Sequence, residues 1–148
     1  MKRLALLLVC VATFAFTACG TLQQAGSSEA AAQAVGQSCG SALVGLYQSY
    51  RSTGSLNLGT GNNLVNALTL ATCYSQVRQH KNSQTYRKGF TKGLIVNGAG
   101  LITNQNASII VNALLAANGI TSISKSNSVA QNNTCANNTI IPILNAMK

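Results

Sequence analysis

Acidic side chains are nearly absent from this sequence. It has no Asp, and Glu29 is its single acidic residue against ten Lys or Arg, for a net charge of +9 at pH 7. The carboxylate pairs of glycosidases, the oxygen-rich sites for Ca²⁺ or Mg²⁺ and the Ser-His-Asp triads all need acids that this chain lacks. The composition therefore excludes several large classes of enzyme and of metal site.

Zinc ligands and proline are also scarce. One His and scattered Cys form no C-x-x-C or H-x-x-x-H pattern, so no metal site and no cofactor is predicted. A single proline and few alternating apolar stretches argue against a β-sheet. After residue 20, no apolar run reaches the ~20 residues of a transmembrane helix. The mature protein is therefore predicted not to span a membrane.

The first twenty residues have the organisation of an export signal. Residues 1–3 carry two cations, residues 4–16 are uncharged, and residues 17–20 place small side chains around Cys19. A positive start, an apolar centre of this length and a small-residue cleavage zone are typical of a secretory signal. The apolar centre is too short to be a transmembrane helix.

Residues 16–19, Phe-Thr-Ala-Cys, resemble the lipobox of bacterial lipoproteins, with Phe16 in place of the usual aliphatic residue. The resemblance covers residues 1–20 and implies that residues 1–18 are a signal peptide, removed when Cys19 is lipidated. Gly20 replaces the aspartate of inner-membrane lipoproteins, and no acidic cluster follows. The resemblance therefore implies an outer-membrane protein, lipid-anchored and facing the periplasm. The alternative is an ordinary secretory signal that is cut near Ala18.

The remaining chain is long enough for one domain. Residues 19–29 are small and polar, which predicts a flexible lipidated tether. Residues 30–148 are predicted to form a single all-α domain, a small bundle of four to five short helices. The Ser- and Asn-rich residues 120–138 are predicted to be loop or short turns.

Apolar residues recur at three- and four-residue steps along most of this domain. The period predicts helices over residues 30–51, about 63–80 and about 106–117. A further helix begins at Ser83, with Tyr86, Phe90 and Leu94 on one face. Pro142 is tolerated in the first turn of a last helical segment, residues 139–147.

Three cysteines remain once the signal and lipid positions are set aside. An exported protein meets an oxidising compartment, so one disulfide and one free thiol are expected. Cys39 and Cys73 lie at nearly the same height if the first two helices pack antiparallel, which makes them the preferred pair. Cys135 is the rival partner for either one. A catalytic pair of Cys73 with His80 is disfavoured, since seven helical residues separate them by ~10 Å along the axis.

Cations are concentrated in residues 78–92. Five of them occur there without an acidic neighbour: Arg78, Lys81, Arg87, Lys88 and Lys92. Such a cluster would contact anionic lipid headgroups, lipopolysaccharide phosphates or an anionic envelope glycan. The alternative is an ordinary solvated turn between two helices. Nucleic acid is not an expected partner of an exported chain.

Tyr47 and Tyr50, near Arg51, are a second candidate binding surface. The two rings beside a cation would suit sugar stacking, although helical spacing favours Tyr50 as a core residue. No protein partner is identified by either surface.

These observations predict a membrane-anchored cell-envelope lipoprotein with a structural or binding role, not an enzyme. Its predicted contact surface is the basic segment 78–92. One alternative is an envelope enzyme that uses an unrecognised Ser, Tyr or Lys site, which a cleft gathering Tyr, Lys and His80 would favour. The other is a subunit of an outer-membrane assembly, expected if an apolar patch stays exposed.

Overall fold

Helices account for all the regular secondary structure in the part of the chain that the structure describes, residues 28–59 and 61–147. The structure is a computed structural model. In chain order its elements are α1 (Glu29–Thr53), α2 (Gly61–Gln79), α3 (Gln84–Val96), α4 (Ala107–Leu115), a 3-10 helix (Asn118–Ser122), α5 (Val129–Thr139) and α6 (Ile141–Asn145). The predicted all-α class is confirmed.

Helix α1 runs from Glu29 to Thr53, a length of about 37 Å. At its start the Ser28 hydroxyl accepts a hydrogen bond from the Ala31 amide at 3.1 Å, which satisfies one of the free donors of the first turn. At its end Gly54 takes a left-handed φ of 76° and donates its amide to the Tyr50 carbonyl at 2.7 Å. Both ends are therefore set by local sequence. The predicted boundary of the tether at residue 29 falls one residue inside this helix.

Helices α1, α2 and α3 form the core of the bundle, in up-down-up order. Helix α2 is antiparallel to α1, since Cys73 bonds to Cys39 and Asn63 donates to the Ser49 hydroxyl at 2.8 Å. Helix α3 is parallel to α1: Gly89 lies against Glu29, while Asn97, after its end, donates to the Gln37 carbonyl at 3.1 Å. The end of α2, the start of α3 and the start of α1 therefore lie at one end of the bundle.

The core is one connected cluster of buried apolar side chains. Tyr86, Phe90 and Leu94 are fully buried, as their predicted shared face requires. On α2 the apolar side chains are buried to different degrees. Leu70 is fully buried, while Leu64, Leu68 and Ala71 are only half-buried. Cys73, which bonds to Cys39 of α1, lies on the buried face.

The prediction that residues 120–138 are loop or short turns is wrong for residues 129–138. Most of that segment is α5, Val129–Thr139, and the 3-10 helix overlaps its start. Ser128 caps α5 by accepting from the Gln131 amide at 3.2 Å. Asn has a low helix propensity, so the composition alone did not indicate a helix.

Two of the four asparagines of α5 make tertiary hydrogen bonds. Asn137 accepts from the Leu56 amide at 3.2 Å, and Asn133 accepts from the Leu58 amide at 2.7 Å. Leu56 and Leu58 are buried in a loop whose backbone donors have no helical or sheet partner. The two Asn side chains therefore accept the hydrogen bonds that a neighbouring strand would accept in a sheet.

Candidate functional site: the basic end of the bundle

The five cations of residues 78–92 lie at the end of the bundle where α1 begins. Arg78 is in the last turn of α2, Lys81 is in the following turn, and the other three are on α3. Because α3 is parallel to α1 and α2 is antiparallel, this end includes the whole predicted basic segment. We call it the tether end, since Ser28 and Glu29, the last two residues of the predicted tether, lie there.

Arg78 is committed to a contact within the fold. Its Nη1 donates to the Tyr74 hydroxyl at 2.5 Å and to Asn118 Oδ1 at 2.8 Å. The Tyr74 hydroxyl in turn bonds to Asn118 Oδ1. These bonds join α2 to the 3-10 helix, so Arg78 is the least available of the five cations for an external anion.

Lys92 forms an ion pair with the only acid of the chain. Its Nζ lies 2.5 Å from Glu29 Oε1, and both side chains are partly exposed. The hydrogen bond and the charge of Lys92 lower the pKa of the Glu29 carboxyl from its ordinary value of 4.5, with a smaller effect from Lys88. Glu29 is thus the first residue of a helix and a partner of α3, although its position in the sequence predicts a tether residue.

The other three cations have weaker contacts or none. Arg87 donates to Asn112 of α4 at a long 3.4 Å. The side chains of Lys81 and Lys88 are exposed and have no hydrogen-bond or ion-pair partner within residues 28–59 and 61–147. Lys88 lies one turn before Lys92 and on its side of the helix. Lys81, Arg87 and Lys88 are therefore the cations most free to meet an anion.

The structure contains the preferred disulfide. Cys39 and Cys73 are bonded, with their Cα atoms 6.0 Å apart, and both are buried. Cys135 is free and half-buried, and its Sγ donates to the Gly119 carbonyl at 2.9 Å. Cys19 lies outside the described residues.

His80 stacks on a core tyrosine. Its ring centroid is 4.5 Å from that of Tyr86, which is fully buried. His80 Nε2 and the Tyr86 hydroxyl are buried without a hydrogen-bond partner in the described part of the chain. Burial raises the pKa of Tyr86 to about 12. Cys73 offers no thiol to His80, since its sulfur is bonded to Cys39.

Two absences apply to the described residues. No group of three or more His, Cys, Asp or Glu side chains there is arranged to hold a metal ion. None of the helices described is both long and apolar enough to cross a bilayer. The large apolar side chains that are exposed, Val65, Val96, Ile109 and Val129, lie on four different helices.

A feature that the sequence analysis missed sets the distance between α1 and α3. Gly36 and Gly93 face each other, and a Cβ added to either would overlap a backbone carbonyl oxygen, of Phe90 or of Gln33. Gly89 meets the Glu29 carbonyl in the same way. Pairs of glycines four residues apart, at 36 and 40 and at 89 and 93, were the available signal for this close contact.

Comparison of the chain with known protein families, with curated proteins and with solved structures finds no match.

Proposed function

We propose that this protein is a lipoprotein of the outer membrane, anchored through Cys19 and facing the periplasm, with a structural or binding role and no enzymatic activity. Its tether end rests on the anionic phosphate groups of the membrane surface. The observation that supports this arrangement is the direction of the three core helices, because it brings residues 78–92 to the end of the bundle at which α1 begins, just after Ser28.

The length of the tether is consistent with this contact. Nine peptide units separate Cys19 from Ser28, and a fully extended chain of that length spans ~30 Å at most. A domain on so short a tether stays close to the membrane surface. Its nearest end is the basic one.

The expected electrostatic attraction is moderate. A Lys or Arg close to an anionic surface contributes ~1 kcal/mol, and this contribution decays within a Debye length of ~8 Å. Lys81, Arg87 and Lys88 are available, whereas Lys92 is largely offset by Glu29. The total of about 3 kcal/mol orients a domain that the lipid already holds, while attachment itself comes from the acyl chains, at ~0.8 kcal/mol per buried CH₂.

Binding to vesicles tests the surface contact separately from the lipid anchor. A chain that begins at Gly20 should bind vesicles of phosphatidylcholine mixed with phosphatidylglycerol and should not bind phosphatidylcholine alone. Lys81→Glu/Lys88→Glu should abolish this binding, whereas Lys125→Glu/Lys148→Glu, with the same change of charge outside residues 78–92, should retain most of it. Equal binding by the two variants would refute the assignment to the tether end.

The anchor is tested by Cys19→Ser in the full precursor. The wild-type protein should sediment with outer membranes and gain the mass of acyl chains, whereas the variant should carry no lipid. If the wild-type protein is found soluble and unlipidated in the periplasm, the proposed anchor is wrong.

A further inference from the structure

A cleft lies at the end of the bundle opposite the tether end. Its walls come from the last turns of α1 and from the turn after α3, and it has a volume of about 440 Å³. Six residues line it: Tyr47, Gln48, Arg51, Ser52, Ala99 and Leu101. Arg51 is 22 residues after Glu29 on the same helix, which separates the cleft from the basic end by ~33 Å along the axis.

Arg51 is the one charged group in this cleft, and no acid neutralises it. Its guanidinium carbon lies over the Tyr47 ring, 5.8 Å from the centroid, and this cation–π contact restricts the orientation of the side chain. The Arg51 guanidinium has no hydrogen-bond or ion-pair partner among the residues described. Its five N–H donors are therefore free, in a planar arrangement that matches a carboxylate.

The other residues that line the cleft include both polar and apolar side chains. Gln48 and Ser52 are exposed on α1, and the Ser52 hydroxyl donates to the Gln48 carbonyl at 3.0 Å, which leaves its lone pairs free to accept. Leu101 and the methyl group of Ala99 supply apolar surface. A ligand that fits such a wall carries several hydroxyl groups and a C–H face in addition to its carboxylate.

The turn that forms one side of the cleft is held in an unfavourable conformation. The Leu101 amide donates to the Gly98 carbonyl at 2.9 Å, and the two residues between them have positive φ values, 51° at Ala99 and 78° at Gly100. Glycine or asparagine is usual at such positions. Ala99 is the only non-glycine residue with positive φ in the described part of the chain, and residues held in this way are concentrated at ligand sites.

From these contacts we propose that the Tyr47–Arg51 cleft binds a carboxylate-bearing saccharide. Arg51 holds the carboxylate with two parallel N–H···O bonds, Gln48 and Ser52 bond to ring hydroxyls, and Leu101 and Ala99 contact the C–H face of the sugar. Triglycine would also pair its carboxylate with Arg51, but it has no ring C–H face to contact Leu101 and Ala99. The cleft is independent of the membrane contact proposed above.

Calorimetric titration of the full chain, purified in a non-ionic detergent, tests this site. Trigalacturonate should bind, and its neutral methyl ester should bind about tenfold more weakly or worse, because the charge-assisted bonds to Arg51 are lost. Arg51→Gln should weaken binding of the acid by the same factor. Lys125→Gln, which removes an exposed cation that does not line the cleft, should leave it unchanged.

Two further measurements make the test specific. Arg51→Lys keeps the charge but loses the planar fork, so it too should bind trigalacturonate several-fold more weakly. Ala99→Gly should raise the melting temperature, because the strain of Ala99 is relieved, and should lower the affinity. The proposal is overturned if trigalacturonate does not bind, if the methyl ester or Arg51→Gln binds equally well, or if triglycine competes as well as the sugar acid.

Discussion

Helix α1 packs against its two main neighbours in different ways. Against α3 the two backbones are in contact, because Gly36 and Gly93 leave no side chain between them. Against α2 the contact is made by side chains and by the Cys39–Cys73 bond. The contact with α3 depends on glycines that have no side chain, and the contact with α2 depends on a covalent bond. A substitution that adds a methyl group should therefore disturb the first, and removal of the disulfide should disturb the second.

A glycine also occurs at the α1–α2 contact, but there it has different neighbours. A Cβ at Gly45 would meet the amide nitrogen of the Asn66 side chain, which can rotate away. A Cβ at Gly93 would meet backbone atoms of Gln33, Gly36 and Gln37, which cannot move independently of α1. The α1–α3 contact is therefore rigid in its spacing, whereas the α1–α2 contact can accommodate small changes.

Removal of the disulfide should have the largest effect on stability. The bond closes a loop with a sequence separation of 34, and the chain-entropy relation gives about 4 kcal/mol for a loop of this size. Cys39→Ala/Cys73→Ala should lower the free energy of unfolding by that amount in a urea titration. Cys135→Ala is the matched control and should change little. A loss below about 1 kcal/mol would mean that apolar packing alone holds α1 to α2.

A methyl group added at the contact between the backbones of α1 and α3 should have the next largest effect on stability. Gly93→Ala forces α1 and α3 apart and should lower the free energy of unfolding by about 3 kcal/mol, even though alanine favours the helix. Gly45→Ala should cost less than about 1 kcal/mol, since only the Asn66 side chain has to move. Thermal and urea unfolding of the two variants would check this, and equal losses would remove the distinction between the two contacts.

Gly61→Ala is a control for helix propensity. A Cβ at Gly61 meets nothing within 4 Å. The substitution should therefore leave stability unchanged or raise it slightly.

Tyr86 should make stability fall at alkaline pH, with an effect of intermediate size. Its neutral form is favoured in the fold, so its contribution is complete below its ordinary pKa of 10.0 and is lost as the pH rises towards about 12. The linkage relation gives a loss of about 2 kcal/mol by pH 12. Tyr86→Phe should remove this part of the alkaline loss, measured as the difference between the two unfolding curves.

The same variant also tests the buried hydroxyl. Because the Tyr86 hydroxyl has no partner in the described residues, Tyr86→Phe should be as stable as the wild type at pH 7, or more stable by about 1 kcal/mol. A clear loss at pH 7 would indicate that a water molecule satisfies the hydroxyl.

The Glu29–Lys92 ion pair should have the smallest effect, because both partners are partly exposed. The pKa of Glu29 is lowered in the fold, so the stabilisation is present above pH 4.5 and is lost as the pH falls through the lower folded value. Glu29→Gln should remove this acid dependence, and high salt should weaken it. A double-mutant cycle with Lys92→Gln measures the pair directly, and a coupling as large as the disulfide effect would contradict this ranking.

Local pattern predicted the long helices well. On α1, the apolar residues Val35, Cys39, Leu43 and Leu46 recur at the helical period and are buried. The same period locates Tyr86 and Phe90 in the core. Pairing of Cys39 with Cys73 followed from the assumption that α1 and α2 are antiparallel. Each of these inferences needs only one helix or two consecutive ones.

Other features depended on partners that are distant in sequence. Helix α5 forms with Asn133 and Asn137 bonded to the backbone of Leu58 and Leu56, 75 and 81 residues earlier in the chain. Composition alone predicted a loop there, because asparagine is a poor helix former unless its side chain has such partners. Arg78, predicted as part of the basic contact surface, is likewise bonded to Tyr74 and to Asn118, 40 residues later in the chain.

The sequence by itself determined the all-α class, the faces of α1 and α3, and the shortage of acids that limits the possible chemistry. The tertiary structure decided which cations are free, how closely α1 and α3 approach, and that Tyr47, Arg51 and Ala99 share a cleft. Helical periodicity is a property of neighbouring residues and can be read locally. Hydrogen bonds of Asn side chains and contacts between backbones join residues tens of positions apart, so they exist only once the chain has folded.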